Sequence, residues 1–408
     1  MRVEDLGDFL CHVWWRVVRF GYDTSQRTEA QRSTMYLFNG ATYKAIGRNQ
    51  RARLEGRMKA HAIACIELLL HDLCESPSVR ERHRLSAAAL KVCLKPRLMA
   101  SALECAFGAI RGLCGPVDPE ELDRTLDTRD FIGLTDGVLD VENNVFFPIG
   151  SVPHGVRVSM SVNYAYVGPD DPRFPEMRAQ INEFLRTVHA ADYDDPNDAR
   201  LAAMRLMSGL LLLRKNECKK AFVFLGSDDS GKAEFARLLE LTLGDYAVTG
   251  NRISLTRELT GIDRDLAADH KALVCVYPEA RNADGSVVVK LDGGRIYALA
   301  GNSRHSVRAP CRNPKGITID FKPIVLSTLM PVVHPLNNAA RDRLWIARFG
   351  STFVAPGPGA EVDTRRRIFP RIPNLEQRMM QWAPIYLVML VEALHDFRLG
   401  DGALARLP

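Results

Sequence analysis

One stretch limits what this chain can fold into: Ala221-Phe222-Val223-Phe224-Leu225-Gly226-Ser227-Asp228-Asp229-Ser230-Gly231-Lys232-Ala233. An apolar run ends in a loop bounded by Gly226 and Gly231, and Lys232 opens a helical pattern from Glu234 to Leu243. In such a loop backbone N–H groups turn inward around a phosphate. The helix N-terminus adds positive partial charge, and the lysine ammonium reaches the terminal phosphates. The pattern G-x-x-x-x-G-K continues with a hydroxyl residue that holds Mg²⁺, whereas Ala233 offers only a methyl group. Asp228 and Asp229 also put two carboxylates where a polyanion would sit. The candidate cofactor-binding residues are therefore Gly226, Ser230, Gly231, Lys232 and Ala233, against the plainer reading of a strand-turn-helix junction.

Composition sets the setting for that loop. With 408 residues, 46% hydrophobic and 25% charged, the chain has the makeup of an ordinary globular protein with room for two or three cores. A net charge of +5 permits nucleic-acid contact without arguing for it. Nine cysteines, an odd number with no C-x-x-C pair, read as reduced core thiols rather than a disulfide framework or zinc site. The acidic N-terminal residues Glu4, Asp5 and Asp8 give no secretory signal, and no apolar segment is long and charge-free enough to span a bilayer. The expectation is a cytosolic or nuclear protein with no membrane partner.

Upstream of the loop, Met35 to Tyr43 spells a hairpin around Asn39-Gly40, and Trp14 and Trp15 read as core aromatics with base stacking as the alternative. From Arg48 to Cys114 apolar residues recur at helical spacing, interrupted at Pro77 and Pro96. Its basic residues, Arg48, Arg51, Arg53, Arg57 and Lys59, make a charge-rich, solvated first helix. A break at Gly115-Pro116 precedes a second hairpin around Asp136-Gly137, a linker with short strands from Phe147, and helix from Pro175 to Leu213. The expected domains are 1–172, mainly helical with short strands; 173–354, carrying the loop; and 355–408, a linker and a helix over Met379 to Leu394. Arg365-Arg366-Arg367 reads as a solvated run, with DNA contact as the alternative.

Downstream, Ala272 to Tyr277 is a buried-strand candidate ending at Glu279. An acidic residue there holds Mg²⁺ or orients attacking water when its strand lies parallel and adjacent to the loop strand; a strand-capping glutamate is the alternative. A hairpin follows, with Arg308 on its first strand and Asn313-Pro314-Lys315-Gly316 as its turn. A third apolar strand, Pro323 to Leu329, ends at Met330-Pro331, and Arg341-Asp342-Arg343 precedes a further strand.

Loop, acidic strand, basic hairpin, strand and arginine, in that order, resemble superfamily 3 helicases of the primase-helicase type found in poxviruses and other large DNA viruses. Met35 to Thr42 is similar to that family's aromatic N-terminal hairpin, and Phe131 to Val141 to its N-G-V-x-D stretch, with Asp136 in place of Asn. Leu225 to Tyr246, including Leu243-Gly244-Asp245-Tyr246, is the most specific match. The resemblance implies an α/β fold with an AAA-type phosphate-loop NTPase core, preceded by a mainly helical N-terminal domain with short hairpins. It further implies a hexameric ring, ATP and Mg²⁺ at subunit interfaces, and single-stranded or forked DNA in a basic pore. A separate primase or polymerase as partner and the cytoplasm or nucleus of an infected host cell follow from the same likeness. Carried over by residue, Glu279 and Arg343 are catalytic, Arg343 in trans; Glu279 is the metal ligand; Lys315 and Arg308 bind DNA.

Three departures bear on activity. Ala233 lacks the metal hydroxyl, Gly301-Asn302-Ser303 stands for Gly-Gly-Asp, and Thr328-Leu329-Met330-Pro331 lacks the asparagine that senses the γ-phosphate. Two readings follow: an ATP-driven DNA helicase subunit of a viral-type replication machinery, or a degenerate ring subunit that binds nucleotide or DNA without useful turnover. An unrelated interaction protein with a fortuitous loop is the third.

Overall fold

The computed structural model describes residues 10, 14, 18–22, 33–38, 43–72, 95–114, 131–153, 156, 158–195, 197–256, 272–281, 286–287, 290–301, 304–307, 315–319, 321–355 and 362–399. They fall into two compact units, Met1–Leu126 with Arg157–Ser159, and Asp127–Val156 with Met160–Pro408.

In the first unit β1 (Val18–Tyr22), β2 (Ser33–Phe38) and β3 (Tyr43–Ala45) form an antiparallel sheet in that order. Phe38 pairs with Tyr43, as a hairpin around Asn39-Gly40 requires, while the turn itself lies outside the described residues. Helices α1 (Arg48–Asp72) and α2 (Pro96–Cys114) follow, and Pro96 starts α2, where a missing N–H costs nothing. Leu54, Met58 and Ala62 recur every fourth residue along α1 and bury against Met99, Ala102, Phe107 and Ile110 of α2. Trp14 packs against this core with its ring edge-on to His61 at 5.9 Å, so the core reading of that tryptophan holds. Trp15 lies outside the described residues.

The second unit begins with an antiparallel sheet of β4 (Phe131–Gly133), β5 (Gly137–Asp140) and β6 (Val145–Pro148), the first two forming the expected hairpin around Asp136-Gly137. Residues 127–156 thus group with the loop-bearing part rather than with the helical N-terminal part. The reason is a buried tyrosine. The Tyr246 hydroxyl accepts from Gly133 N–H at 2.9 Å and donates to Met160 O at 3.0 Å, tying this sheet to the segment after the loop helix. Helices α3 (Phe174–His189) and α4 (Ala199–Leu210) split the expected single helix, and Asp198 caps α4 by accepting from Arg200 and Leu201 N–H at 2.9 Å.

The core is a five-stranded, all-parallel sheet built from β7 (Ala221–Leu225), β8 (Ala247–Thr249), β9 (Val274–Tyr277), β13 (Lys322–Ser327) and β15 (Leu344–Arg348), in spatial order β15-β7-β13-β9-β8. β7, β9 and β13 are almost continuously buried, as parallel strands covered on both faces must be. Helix α5 (Lys232–Leu243) follows β7. Between β9 and β13 lie β10 (Lys290–Asp292), α6 (Gly293–Ala300) and the antiparallel pair β11 (Arg304–Val307) and β12 (Lys315–Thr318). β14 (Val332–His334) pairs with β10, and β16 (Thr352–Val354) pairs with β17 (Ile368–Pro370). The α/β class expected from the sequence is therefore the observed one.

Helix α7 (Leu375–Leu399) extends beyond the expected Met379 to Leu394 and is packed against α3, α4 and α5. Trp382, Ile385, Tyr386 and Leu390 are buried, and Trp382 Nε1 donates to Gln180 Oε1 at 3.1 Å. At Gly209 a Cβ would lie 2.7 Å from the Leu394 amide nitrogen, so glycine lets α4 and α7 touch. Among the described residues no helix is long and apolar enough to cross a membrane.

Asp198 is the most exacting cap in this unit, since its second oxygen also accepts from Ala191 and Asp192 N–H at 2.8 and 2.9 Å. Burial opposes its charge, but these backbone donors overcome that and hold its pKa below the ordinary value. Asp198→Ala should cost about 1–3 kcal/mol in denaturant unfolding. A depressed pKa means the contribution is present above the unfolded-state value of about 3.9 and disappears as pH falls through the folded one. The gap between parent and variant should accordingly close below about pH 4.

Candidate nucleotide-binding site

The loop leaves β7 at the carboxyl end of the sheet, where ligand crevices of open parallel sheets form. Two backbone bonds fix its start. Gly226 N–H donates to Ser327 O at 3.2 Å, and Phe349 N–H donates to Leu225 O at 2.7 Å. A Cβ on Gly226 would sit 2.6 Å from Phe349 O, so the loop passes against backbone there. Gly231 closes it at φ 81°, a left-handed conformation, and a Cβ would approach the Phe353 ring to 2.9 Å.

Within the loop, Lys232 is buried and its Nζ donates to Ser227 O at 2.9 Å, folding the ammonium back over the loop. Ser230 is 1% exposed, and its Oγ has no hydrogen-bond partner among the described residues. A buried hydroxyl without a partner, together with the loop amides and the ammonium, fits a phosphate chain. Ala233 is exposed at the first turn of α5. Mg²⁺ fits less well, because Ala233 supplies no oxygen and no cluster of three metal-ligating side chains occurs among the described residues.

One of the two loop carboxylates is already paired. Asp229, at φ 59°, pairs with Arg371 at 2.8 Å, and its carbonyl accepts from Phe353 N–H at 2.9 Å. Its charge is thus compensated by the segment leading into α7. Between that segment and the loop opens a cleft of about 510 Å³, lined by Gly231, Ala233 and Glu234 on one side and Phe353, Ile372 and Met379 on the other. Its size and mixed lining suit a small organic ligand. Phe353 and Arg371 carry no periodic or motif signal in the sequence, and only folding brings them to the loop.

Glu279 follows β9 at the same end of the sheet, but β9 is not the neighbour of β7. β13 lies between them, paired in parallel with both, which corrects the expected adjacency. The intervening strand makes the link instead: Thr328, just past β13, donates from its N–H and from its Oγ to Glu279 Oε1, both at 2.6 Å. Arg252 approaches the same carboxylate. Burial pulls its pKa down to about 10, with the Glu279 charge opposing, and its Nη1 donates to Leu326 O at 3.4 Å. Arg252 escaped the sequence reading because an isolated arginine carries no pattern.

Arg343 lies at the other end. Ala221 N–H donates to Arg343 O at 2.6 Å, so this arginine stands at the amino ends of β7 and β15, a strand length of roughly 16 Å from the loop level. Its Nη1 donates to Lys219 O at 3.5 Å and its guanidinium lies 5.1 Å from the Tyr297 ring centre. Lys315 is the first residue of β12, opposite Val307, rather than part of the turn. Arg308 lies outside the described residues, as do Asn302 and Ser303.

No family model matches the chain. A putative helicase of Acanthamoeba polyphaga mimivirus is 23% identical over 289 residues, which is 69% of this chain and 28% of that protein. The chain therefore spans little more than a quarter of this relative. Among solved structures, the apo C-terminal region of NrS-1 is similar at 12% identity with a TM-score of 0.39, over 64% of this chain and 60% of that one. A JCV helicase structure is similar at 10% identity with a TM-score of 0.33, over 82% of this chain and 85% of that one. Likenesses this loose assign nothing, and the fold rests on the strand order above.

The close passage of the loop start against Phe349 generates a direct check. Gly226→Ala should destabilise the chain by about 1–3 kcal/mol through displaced backbone, whereas Ala233→Ser, on an exposed first turn, should stay within about 0.5 kcal/mol, both read by denaturant unfolding.

Proposed function

We propose that this chain is an ATP-dependent, helicase-type NTPase subunit acting on DNA in a viral-type replication machinery. One observation carries the reading: a glycine-bounded loop with Lys232 lies at the carboxyl end of a parallel sheet, and Glu279 is held at that same end by Thr328. The mimivirus putative helicase, similar over 69% of this chain, supports it.

In this reading Lys232 leaves the Ser227 carbonyl and takes the β- and γ-phosphates, and the loop amides and Ser230 Oγ hold the remaining oxygens. The cleft beside Phe353 takes the base. Glu279, oriented by Thr328, positions the attacking water. A Mg²⁺ at the site would be held by phosphate oxygens and water, since Ala233 cannot ligate it. Arg343 is a strand length from its own loop, so it serves the nucleotide of a neighbouring copy, which calls for a homo-oligomeric ring, six-membered on the helicase resemblance. Lys315 and Arg308, on the β11–β12 hairpin and its connection, hold the DNA backbone.

Ala233 favours a second reading, a subunit that binds nucleotide or DNA without turnover. Losing one preorganised polar contact costs about 2.7–4 kcal/mol of transition-state stabilisation. ATP hydrolysis with Mg²⁺ and single-stranded DNA separates the two. Turnover in the parent that Lys232→Ala abolishes establishes the motor; a silent parent revived by Ala233→Thr establishes the degenerate subunit. Silence in all three, with no nucleotide bound, rejects the phosphate-loop reading itself.

The position of Arg343 adds a sharper expectation for an active parent. Arg343→Ala and Lys232→Ala should each be silent alone, while mixed rings should regain measurable turnover, because some interfaces then combine an intact loop with an intact arginine. Mixtures no more active than either variant would remove Arg343 from the site.

A further inference from the structure

Among the described residues no strand covers the outer edge of the central sheet. Among the described strands β15 pairs only with β7. In a parallel ladder each residue sends its N–H and C=O to the same side. Ala221 N–H donates to Arg343 O at one end of this ladder, and Phe349 N–H donates to Leu225 O at the other. Trp345 and Ala347 therefore spend their backbone groups on β7, and Leu344, Ile346 and Arg348 turn theirs outward. Ile346 is 39% exposed on this edge, an apolar residue where sheets usually place a charge or a proline.

Alongside the edge runs a cleft of about 330 Å³ between β15 and α4. Ala203 and Met204 of α4 and Trp345 of β15 give it an apolar wall. Arg200 and Arg348 stand on its two sides, and neither forms an ion pair among the described residues. His189 also lines it, 2% exposed, with both ring nitrogens lacking a hydrogen-bond partner. Burial and the charge of Arg367 hold the His189 pKa down to about 3, so the ring is neutral and offers one donor and one acceptor. Arg367 adds positive charge near Arg200, and its Nε and Nη1 are buried without partners. The nearby carboxylate, Asp198, is already spent on four backbone N–H groups.

We propose that the β15 edge and this cleft form a docking site for an extended segment of a partner protein, added as a sixth strand, in which apolar side chains alternate with acidic ones. The incoming backbone pairs with Ile346 and Arg348, an apolar side chain enters the wall of Ala203, Met204 and Trp345, and acidic side chains reach Arg200 and Arg348. Nucleic acid suits the surface less well. The outward carbonyls of Ile346 and Arg348 repel phosphate, and the apolar wall gives it nothing, whereas a strand uses donors, acceptors, wall and cations together.

The probe is a fluorescein-labelled octapeptide alternating valine and glutamate, titrated with the full chain and read by fluorescence anisotropy. It should bind, and its valine-lysine counterpart should not. Ile346→Pro removes an N–H that β7 does not use, and Arg348→Glu reverses the charge; each should weaken binding at least tenfold. Lys232→Ala should leave it unchanged, so the result stands apart from the nucleotide site. Thermal unfolding checks each variant, and if Ile346→Pro does not fold, Arg200→Glu with Arg348→Glu decides. The proposal is overturned by no binding, by equal binding of the lysine peptide, by affinity that survives both substitutions, or by binding of a single-stranded oligonucleotide alone.

Discussion

The backbone pairing of β7 with its two neighbours is the constraint on which the second unit depends. β13 on one side and β15 on the other hold the loop strand in the sheet interior, and each adds a bond at the loop itself, Gly226 N–H to Ser327 O and Phe349 N–H to Leu225 O. A parallel strand so enclosed must be apolar on both faces, and Ala221 to Phe224 is. Because all five strands point one way, whatever follows β7, β9 and β13 gathers at one end, and whatever precedes β15 is left at the other. The separation of Lys232 and Glu279 from Arg343 is a consequence of sheet polarity.

Much of this was legible from sequence, for a physical reason. Doubly buried strands are short apolar runs, so β7, β9 and β13 could be marked along the chain, as could helices whose apolar residues recur every third or fourth position. Strand order could not, because nothing local to Lys322–Ser327 states that it inserts between β7 and β9. The Thr328–Glu279 contact spans 49 residues and the Tyr246–Gly133 bond 113, and both depend on surfaces that exist only after collapse. Gly209, next to the last residue of α4, has its reason in Leu394 of α7.

The loop carboxylates show how a local conflict is resolved at a distance. In sequence Asp228-Asp229 argues against a phosphate ligand, since like charges repel. In the fold Asp229 takes a left-handed conformation and turns to Arg371, while its carbonyl receives Phe353 N–H. The stretch of residues 349–355 therefore serves, with Arg371, as the loop's outer wall. It is anchored in turn by Phe349 N–H on β7 and by the Ser351 hydroxyl on Thr187 O.

That wall also joins the loop to the β15 edge. His189 meets Phe235, on the helix that starts at Lys232, edge-on at 4.3 Å, and meets Phe349 at 5.1 Å. Phe349 in turn lies against Gly226. One aromatic layer thus has the phosphate loop at one end and, through His189, the cleft beside β15 at the other. Close-packed interiors transmit displacement because they leave no free volume to absorb it. A strand seated on β15 would press on Ile346 and Arg348, immediately before the residue whose N–H fixes the loop. The two surfaces are consequently mechanical neighbours, although no side chain named at the loop lines the cleft.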